Sequence, residues 1–222
     1  MSELVLSLFP GIGLLDTAFE QEGFCVVRGP DLLWGGDIRR FHPPAGKFDG
    51  VIGGPPCKGE SKLAALNGNP GNTLAQEFFR VMHCAQPRWW VMEAVKRHVG
   101  NFDILPLNNR WLGERQNRLR YFHSNLKLAA HVRGEALQHP EWRYAVLAGH
   151  GGAEGSVVRR MATYSWADML VLQGLSPGLK LPGFTRAASR EAVGNGVPLP
   201  MGRAIARAVR QALGLPLVEA SA

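Results

Sequence analysis

Apolar positions along this chain fall into short runs separated by stretches of helical spacing. Leu4 to Phe9 is apolar apart from Ser7 and reads as a strand, and Pro10 to Gly13 reads as a tight turn. Beyond the turn Leu14, Leu15, Ala18 and Phe19 recur at helical spacing until Gly23 stops the helix. Phe24 to Arg28, Phe48 to Ile52 and Trp89 to Met92 read as further strands, with a helix over Leu74 to Cys84. A final helix runs from about Pro200 to Leu213, with Met201, Ile205, Ala208 and Val209 on one face and Gly214 as its stop. This alternation predicts an α/β domain built on a mostly parallel sheet covered on both faces. Ligands are then expected at the carboxyl ends of its strands.

Composition narrows the picture. With 222 residues, 45% of them apolar, the chain can fill one core. The cysteines Cys25, Cys57 and Cys84 are odd in number and form no CxxC pair, which suggests neither a disulfide framework nor a thiolate metal site. No HxxxH or HxH pairing occurs, so no metal is expected. The first residues lack a basic leader and no apolar run approaches ~18 residues, so a cytoplasmic chain without a membrane span is expected.

The net charge of +7 is unevenly placed. Residues 1–87 hold 7 Lys/Arg against 9 Asp/Glu, residues 88–160 hold 12 against 6, and residues 161–222 hold 6 against 3. A basic middle beside a near-neutral first part suggests a polyanion against one face, nucleic acid being the commonest. A solvated basic surface would give the same count.

Candidate chemistry gathers at the strand ends. Phe9, Pro10, Gly11, Ile12 and Gly13 end the first strand and open a helix, where glycines permit close backbone approach to a ligand, although a plain strand-to-helix turn would look alike. Asp31, just past the second strand, can accept hydrogen bonds from ribose hydroxyls, and Asp37 can bind an amino group on a purine. Together they describe a nucleoside pocket. The third strand ends in the sequence GGPPCKGES, where Pro55 and Pro56 fix the backbone and hold the Cys57 thiol in place. A positioned thiol suggests a nucleophile. Cys25 and Cys84 read instead as small buried residues.

These segments carry a family resemblance. Phe9 to Gly13, Gly36 to Ile38, Gly53 to Cys57, Met92 to Val95, Gln116 to Arg120 and Gly194 to Val197 resemble, in order, the motifs of DNA cytosine-5 methyltransferases. The resemblance implies a Rossmann-like methyltransferase fold that binds S-adenosylmethionine, with residues 1–124 and 186–222 as catalytic domain and residues 125–185 as a reduced target-recognition region. It implies cofactor contacts from Phe9, Gly11, Ile12, Gly13, Asp31, Asp37, Ile38, Pro56 and Asn195. Cys57 would add to carbon 6 of a cytosine extruded from DNA, and Glu93 would hydrogen-bond its N3 and exocyclic amine. Arg120 would hold O2, with Arg118 in support. A restriction-modification or phage setting, DNA as partner and a monomeric chain, with a specificity partner as an option, follow from the same resemblance.

The departures from the family are specific. Lys58, Gly59, Glu60 and Ser61 stand where the family usually has Gln-x-Phe-Ser, and Ala94 replaces the usual Asn. Five residues separate Asp31 from Asp37, too few for the helix that normally lies between them. The interval from Asn125 to about Arg159 is also short, offering Arg133, His139, Trp142, Arg143, His150, Arg159 and Arg160. Few base contacts and a short or degenerate target site are expected. Two other functions remain open at this level: a non-catalytic DNA-binding or adaptor protein that keeps the cofactor pocket, and a modifier of free nucleotides.

Overall fold

The computed structural model describes residues 2–56, 74–134, 141–146 and 164–218. Its strands are β1 (Leu4–Leu8), β2 (Cys25–Arg28), β3 (Gly50–Gly53), β4 (Trp89–Ala94), β5 (Asp103–Asn108), β6 (Gln116–Asn117), β7 (Leu119–Ser124) and β8 (Arg143–Tyr144). Its helices are α1 (Leu14–Gln21), α2 (Leu74–Ala85), α3 (Trp166–Leu172), α4 (Arg186–Asn195) and α5 (Leu199–Ala212). The main sheet has six strands in the order β2-β1-β3-β4-β7-β5. The first four are parallel, as the alternating pattern predicts. β7 runs antiparallel to both β4 and β5, a strand pair that the apolar pattern did not reveal.

Period-two alternation divides the strand residues between two core clusters. Val5, Ile52, Trp89, Val91 and Phe122 join Phe19 of α1 and Met201, Ile205 and Val209 of α5 in one cluster. Leu6, Leu8, Val51, Trp90 and Met92 join Phe78 and Val81 of α2 in the other. The sheet is therefore covered on both faces. The helix ends follow the expected signals: Gly23 (φ 82°) and Gly214 (φ 68°) take the left-handed conformation just past α1 and α5. A third apolar cluster joins Met169, Leu170 and Leu172 of α3 to Val146 and to Val193 of α4. Among the described residues, no helix is long and apolar enough to cross a membrane.

Candidate active site

The first wall of the site is the turn that follows β1. Phe9 (φ 56°), Gly11 (φ 57°) and Gly13 (φ 81°) are all left-handed, and Gly13 N–H closes the turn on Pro10 O at 2.8 Å. A Cβ at Gly13 would also sit 2.5 Å from Nη2 of Arg28, so only glycine fits without displacing that guanidinium. The turn is tied to the loop after β2. Asp31 Oδ2 accepts from Gly11 N–H at 2.8 Å, Asp31 Oδ1 accepts from Leu33 N–H at 2.8 Å, and Trp34 Nε1 donates to Gly11 O at 2.7 Å. Where a full helix would stand, two single-turn 3-10 segments, Leu32–Trp34 and Ile38–Arg40, bridge from Asp31 to Arg40.

The second wall is charged. Trp89, Val91 and Glu93 share one face of β4 by alternation, and the register sets Glu93 opposite Phe122 of β7. Arg120, two residues before Phe122, lies on the same face and diagonal to Glu93. Arg120 Nε and Glu93 Oε1 are 2.7 Å apart, both side chains being almost wholly buried. Burial pushes the Glu93 carboxyl above its ordinary value, while the Arg120 and Arg118 guanidiniums pull it back. Glu93 Oε2 lies 3.0 Å from where a Cβ of Gly54 would be, so the glycine that follows β3 gives the carboxylate its room.

The third wall is the turn between α4 and α5, held by a buried polar network. Arg118 donates from Nη1 to Val146 O (2.6 Å) and from Nη2 to Gly194 O (2.9 Å) and Gly196 O (3.1 Å). Its burial, followed by the proximity of Arg120, lowers its pKa to about 9, with Glu93 opposing. Gln173 Nε2 donates to Val193 O at 2.6 Å and Gln116 Nε2 donates to Leu172 O at 2.5 Å, while Gln116 Oε1 accepts from Val146 N–H at 3.2 Å. Thus Gln116 and Arg118, the first two functional positions of the Gln116 to Arg120 segment, bind the backbone of distant segments. Arg120 alone of the three enters the site.

The walls enclose a cavity of about 670 Å³ at the carboxyl ends of β1, β3 and β4. Of the residues singled out in the sequence, Phe9, Gly11, Ile12, Asp31, Pro56, Glu93, Arg120 and Asn195 line it. Gly13, Asp37, Ile38 and Arg118 are not among its lining residues. Gly13 shapes the turn, and Arg118 is wholly buried behind the wall. Ile38 is packed in the core under α2. Asp37 Oδ1 accepts from Arg39 N–H at 3.0 Å, which fixes its carboxylate at the start of the second 3-10 segment. Cys57, Lys58, Glu60 and Ser61 lie outside the described residues, as do His139, His150, Arg159 and Arg160.

Cys25 corrects an expectation: it is exposed on the edge strand β2 rather than buried, and Cys84 is only half-buried. Ser7 and Asp16 line the cavity and were not foreseen. Ser7, on the polar gap in β1, donates to Asp16 Oδ1 at 2.5 Å, and Arg28 Nε stands 3.0 Å from Asp16 Oδ2. Burial raises the Asp16 carboxyl above its ordinary value, with the Ser7 hydrogen bond and Arg28 opposing. The one sequence signal for this pair was an acid in the first turn of a helix. No group of His, Cys, Asp or Glu among the described residues could hold a metal ion.

Comparison with known proteins agrees with the motifs. No protein-family model matches the chain. It is 34% identical over 110 residues to the type II methyltransferase M.FnuDI of Fusobacterium nucleatum, covering 41% of this chain and 32% of the relative. It is 30% identical over 138 residues to the type II methyltransferase M.NgoPII of Neisseria gonorrhoeae, covering 53% of this chain and 38% of the relative. The chain thus spans about a third of the length of these curated relatives. In structure it resembles the S. pombe Dnmt2 methyltransferase, with a TM-score of 0.60 and 12% identity, covering 96% of this chain and 98% of the other. The chain is homologous to type II methyltransferases over the matched segments, and its fold is the Rossmann-like α/β fold of methyltransferases.

Proposed function

We propose that this chain transfers a methyl group from S-adenosylmethionine to carbon 5 of a cytosine in DNA, through a transient bond from Cys57 to carbon 6. The observation that carries this reading is the buried Glu93 to Arg120 ion pair, in the same cavity as the turn from Phe9 to Ile12. A cofactor pocket and an acid-guanidinium pair opening into one space suit a reaction between a cofactor and a planar, polar base.

The residues fit the cofactor. Phe9, Pro10, Gly11 and Ile12 of the left-handed turn line the cavity, and Gly11 there has no side chain to keep a ligand away from the backbone. Asp31, with Leu33 beside it, offers a carboxylate whose oxygens each keep a further lone pair for a ribose hydroxyl, and Ile12, Pro56 and Asn195 complete the holding set. When bound, S-adenosylmethionine supplies an electrophilic methyl group on its sulfonium sulfur.

The protein's part is to make carbon 5 of cytosine nucleophilic. Cys57, the residue after Pro56, adds as thiolate to carbon 6, and the electron pair of the 5,6 double bond moves to carbon 5 and toward N3. Glu93 meets that charge: a carboxyl whose pKa is raised by burial can hold a proton and share it with N3. Arg120 donates to O2 and balances Glu93 between turnovers. Carbon 5 bonds the methyl group, its proton leaves to a base, and the returning electron pair breaks the carbon 6 to sulfur bond and frees Cys57. Carbons 5 and 6 are reached from above and below the ring, so the base must leave the stack. Basic residues of the middle of the chain hold the flanking phosphates.

The test is direct. Incubation with S-adenosylmethionine and duplex DNA, digestion to nucleosides and mass spectrometry should yield 5-methylcytosine. Unmodified cytosine in DNA that the protein demonstrably binds would favour the non-catalytic reading, and modification of free nucleotides alone would move the substrate out of DNA.

A further inference from the structure

Strand β8 and the residue before it carry two aromatic rings that the core does not use. Trp142 and Tyr144 are each 42% exposed, two residues apart on one face, with ring centroids 4.9 Å apart and planes at 79°. Such an edge-to-face pair uses the edge of one ring and leaves ring faces for other planar groups. Single exposed aromatics are ordinary, but two in contact form a surface.

This surface is tied by hydrogen bonds to the segment that lines the cavity. Tyr144 O accepts from Tyr164 Oη at 3.0 Å, and Arg143 N–H donates to Arg115 O at 2.8 Å. Ala145 and Val146, the next residues, line the cavity, and Val146 is held by Gln116 and Arg118. The same guanidinium that braces the turn containing Asn195 therefore also holds Val146, two residues after Tyr144. Arg143 lies between them in sequence, within the stretch where cations outnumber acids two to one, although Glu141 adds one opposing charge.

We propose that Trp142 and Tyr144 are a stacking platform for nucleobases next to the extruded one. The proposal rests on the DNA reading of the cavity, and charge selects the occupant: planar aromatic groups on a polyanion fit exposed rings flanked by arginine. Opening a duplex costs stacking energy, and a ring at the mouth of the base pocket returns part of it. The protein then favours DNA that is already locally unstacked over fully paired DNA of the same length.

The experiment compares the full-length protein with its Trp142→Ala, Tyr144→Ala and Trp142→Phe variants by fluorescence anisotropy. The probes are a fully paired duplex and the same duplex with a short mismatched bubble, each over a range of salt. The native protein should prefer the bubble. Trp142→Ala should lower bubble affinity by about ten-fold while leaving the salt slope unchanged, because stacking releases no counterions. Trp142→Phe should restore most of the loss, and thermal melting checks that each variant is folded. Equal bubble affinities for folded native and alanine variants would overturn the platform while leaving the DNA reading in place. Failure of the native protein to bind either probe would overturn the DNA reading itself. Unchanged DNA binding with loss of a dimer on Trp142→Ala would assign the rings to a second copy of the chain.

Discussion

Two walls of one cavity are built in opposite ways. The turn from Phe9 to Gly13 is held by partners about twenty residues along the chain, Asp31 and Trp34, and its shape is a set of backbone angles. The wall opposite is held by Arg118, Gln116 and Gln173. Arg118 and Gln116 bond segments 28 to 78 residues away, from Val146 to Gly196, and Gln173 adds bonds to Val193 O and Gly196 O, 20 and 23 residues on. The first wall is a local conformation, whereas the second exists only when several distant segments have come together. Damage to the second should therefore appear as lost stability, and damage to the first as lost ligand binding.

The largest expected effect is at Arg118. Arg118→Met strips the buried carbonyls of Val146 and Gly194 of their donor, leaves Gly196 O only its bond from Gln173, and should cost about 4 kcal/mol in urea unfolding. A loss below about 1 kcal/mol would mean the network does not hold the wall.

A second effect concerns pH. His123 of β7 is wholly buried, accepts at Nε2 from His98 N–H at 3.0 Å and donates from Nδ1 to Met92 O at 3.3 Å. Burial lowers its pKa from 6.5 to about 4, with the Met92 hydrogen bond opposing. The unfolded chain then binds the proton more readily, so the stabilisation is complete above pH 6.5 and is lost as pH falls toward 4. The loss should reach about 3 kcal/mol. Glu93, with its pKa raised by burial, acts in the opposite sense, so the measurement is the difference between native and His123→Asn unfolding curves. The difference should narrow on acidification, and a pH-independent difference would contradict it.

On the local wall the effects are smaller and differently read. Gly13→Ala places a Cβ at φ 81° against Arg28 and should cost about 1 to 2 kcal/mol, with a larger proportional loss of S-adenosylmethionine affinity by calorimetry. The smallest is Trp34→Phe, which keeps a ring near Phe184 but loses the hydrogen bond to Gly11 O, for about 0.5 to 1 kcal/mol. If Gly13→Ala unfolded the protein as Arg118→Met does, the contrast between the walls would fail.

The same contrast explains what the sequence made legible. β1, α1, β3 and β4 are signalled by contiguous apolar runs and by glycine or proline at their ends, so the cavity's location at the strand ends could be read directly. β5 and β7 were hidden for physical reasons. β5 holds Pro106, tolerated because the strand lies at the sheet edge. In β7, Arg120 and His123 interrupt the apolar pattern, because one serves the cavity and the other a buried hydrogen-bond pair. Arg118 and Arg120 look equivalent in sequence. Only the register of β7 against β4 sends Arg120 to Glu93, while Arg118 is committed to backbone carbonyls. Gln173 had no signal, since its partners are carbonyls brought together by the fold. Asp37 had the signal of a ligand contact, and the fold adds a role the sequence did not show, capping the turn that replaces a helix.

The most direct test of the central claim uses duplex DNA containing 5-fluorocytosine together with S-adenosylmethionine. Fluorine on carbon 5 cannot leave as a proton does, so the proposed bond between Cys57 and carbon 6, once formed, would persist after methyl transfer. A denaturation-stable adduct should form with the native protein, disappear in Cys57→Ser, and persist in Cys25→Ser and Cys84→Ser. A native protein that binds both cofactor and DNA but gives no adduct in any cytosine context, or an adduct that survives Cys57→Ser, would contradict the account.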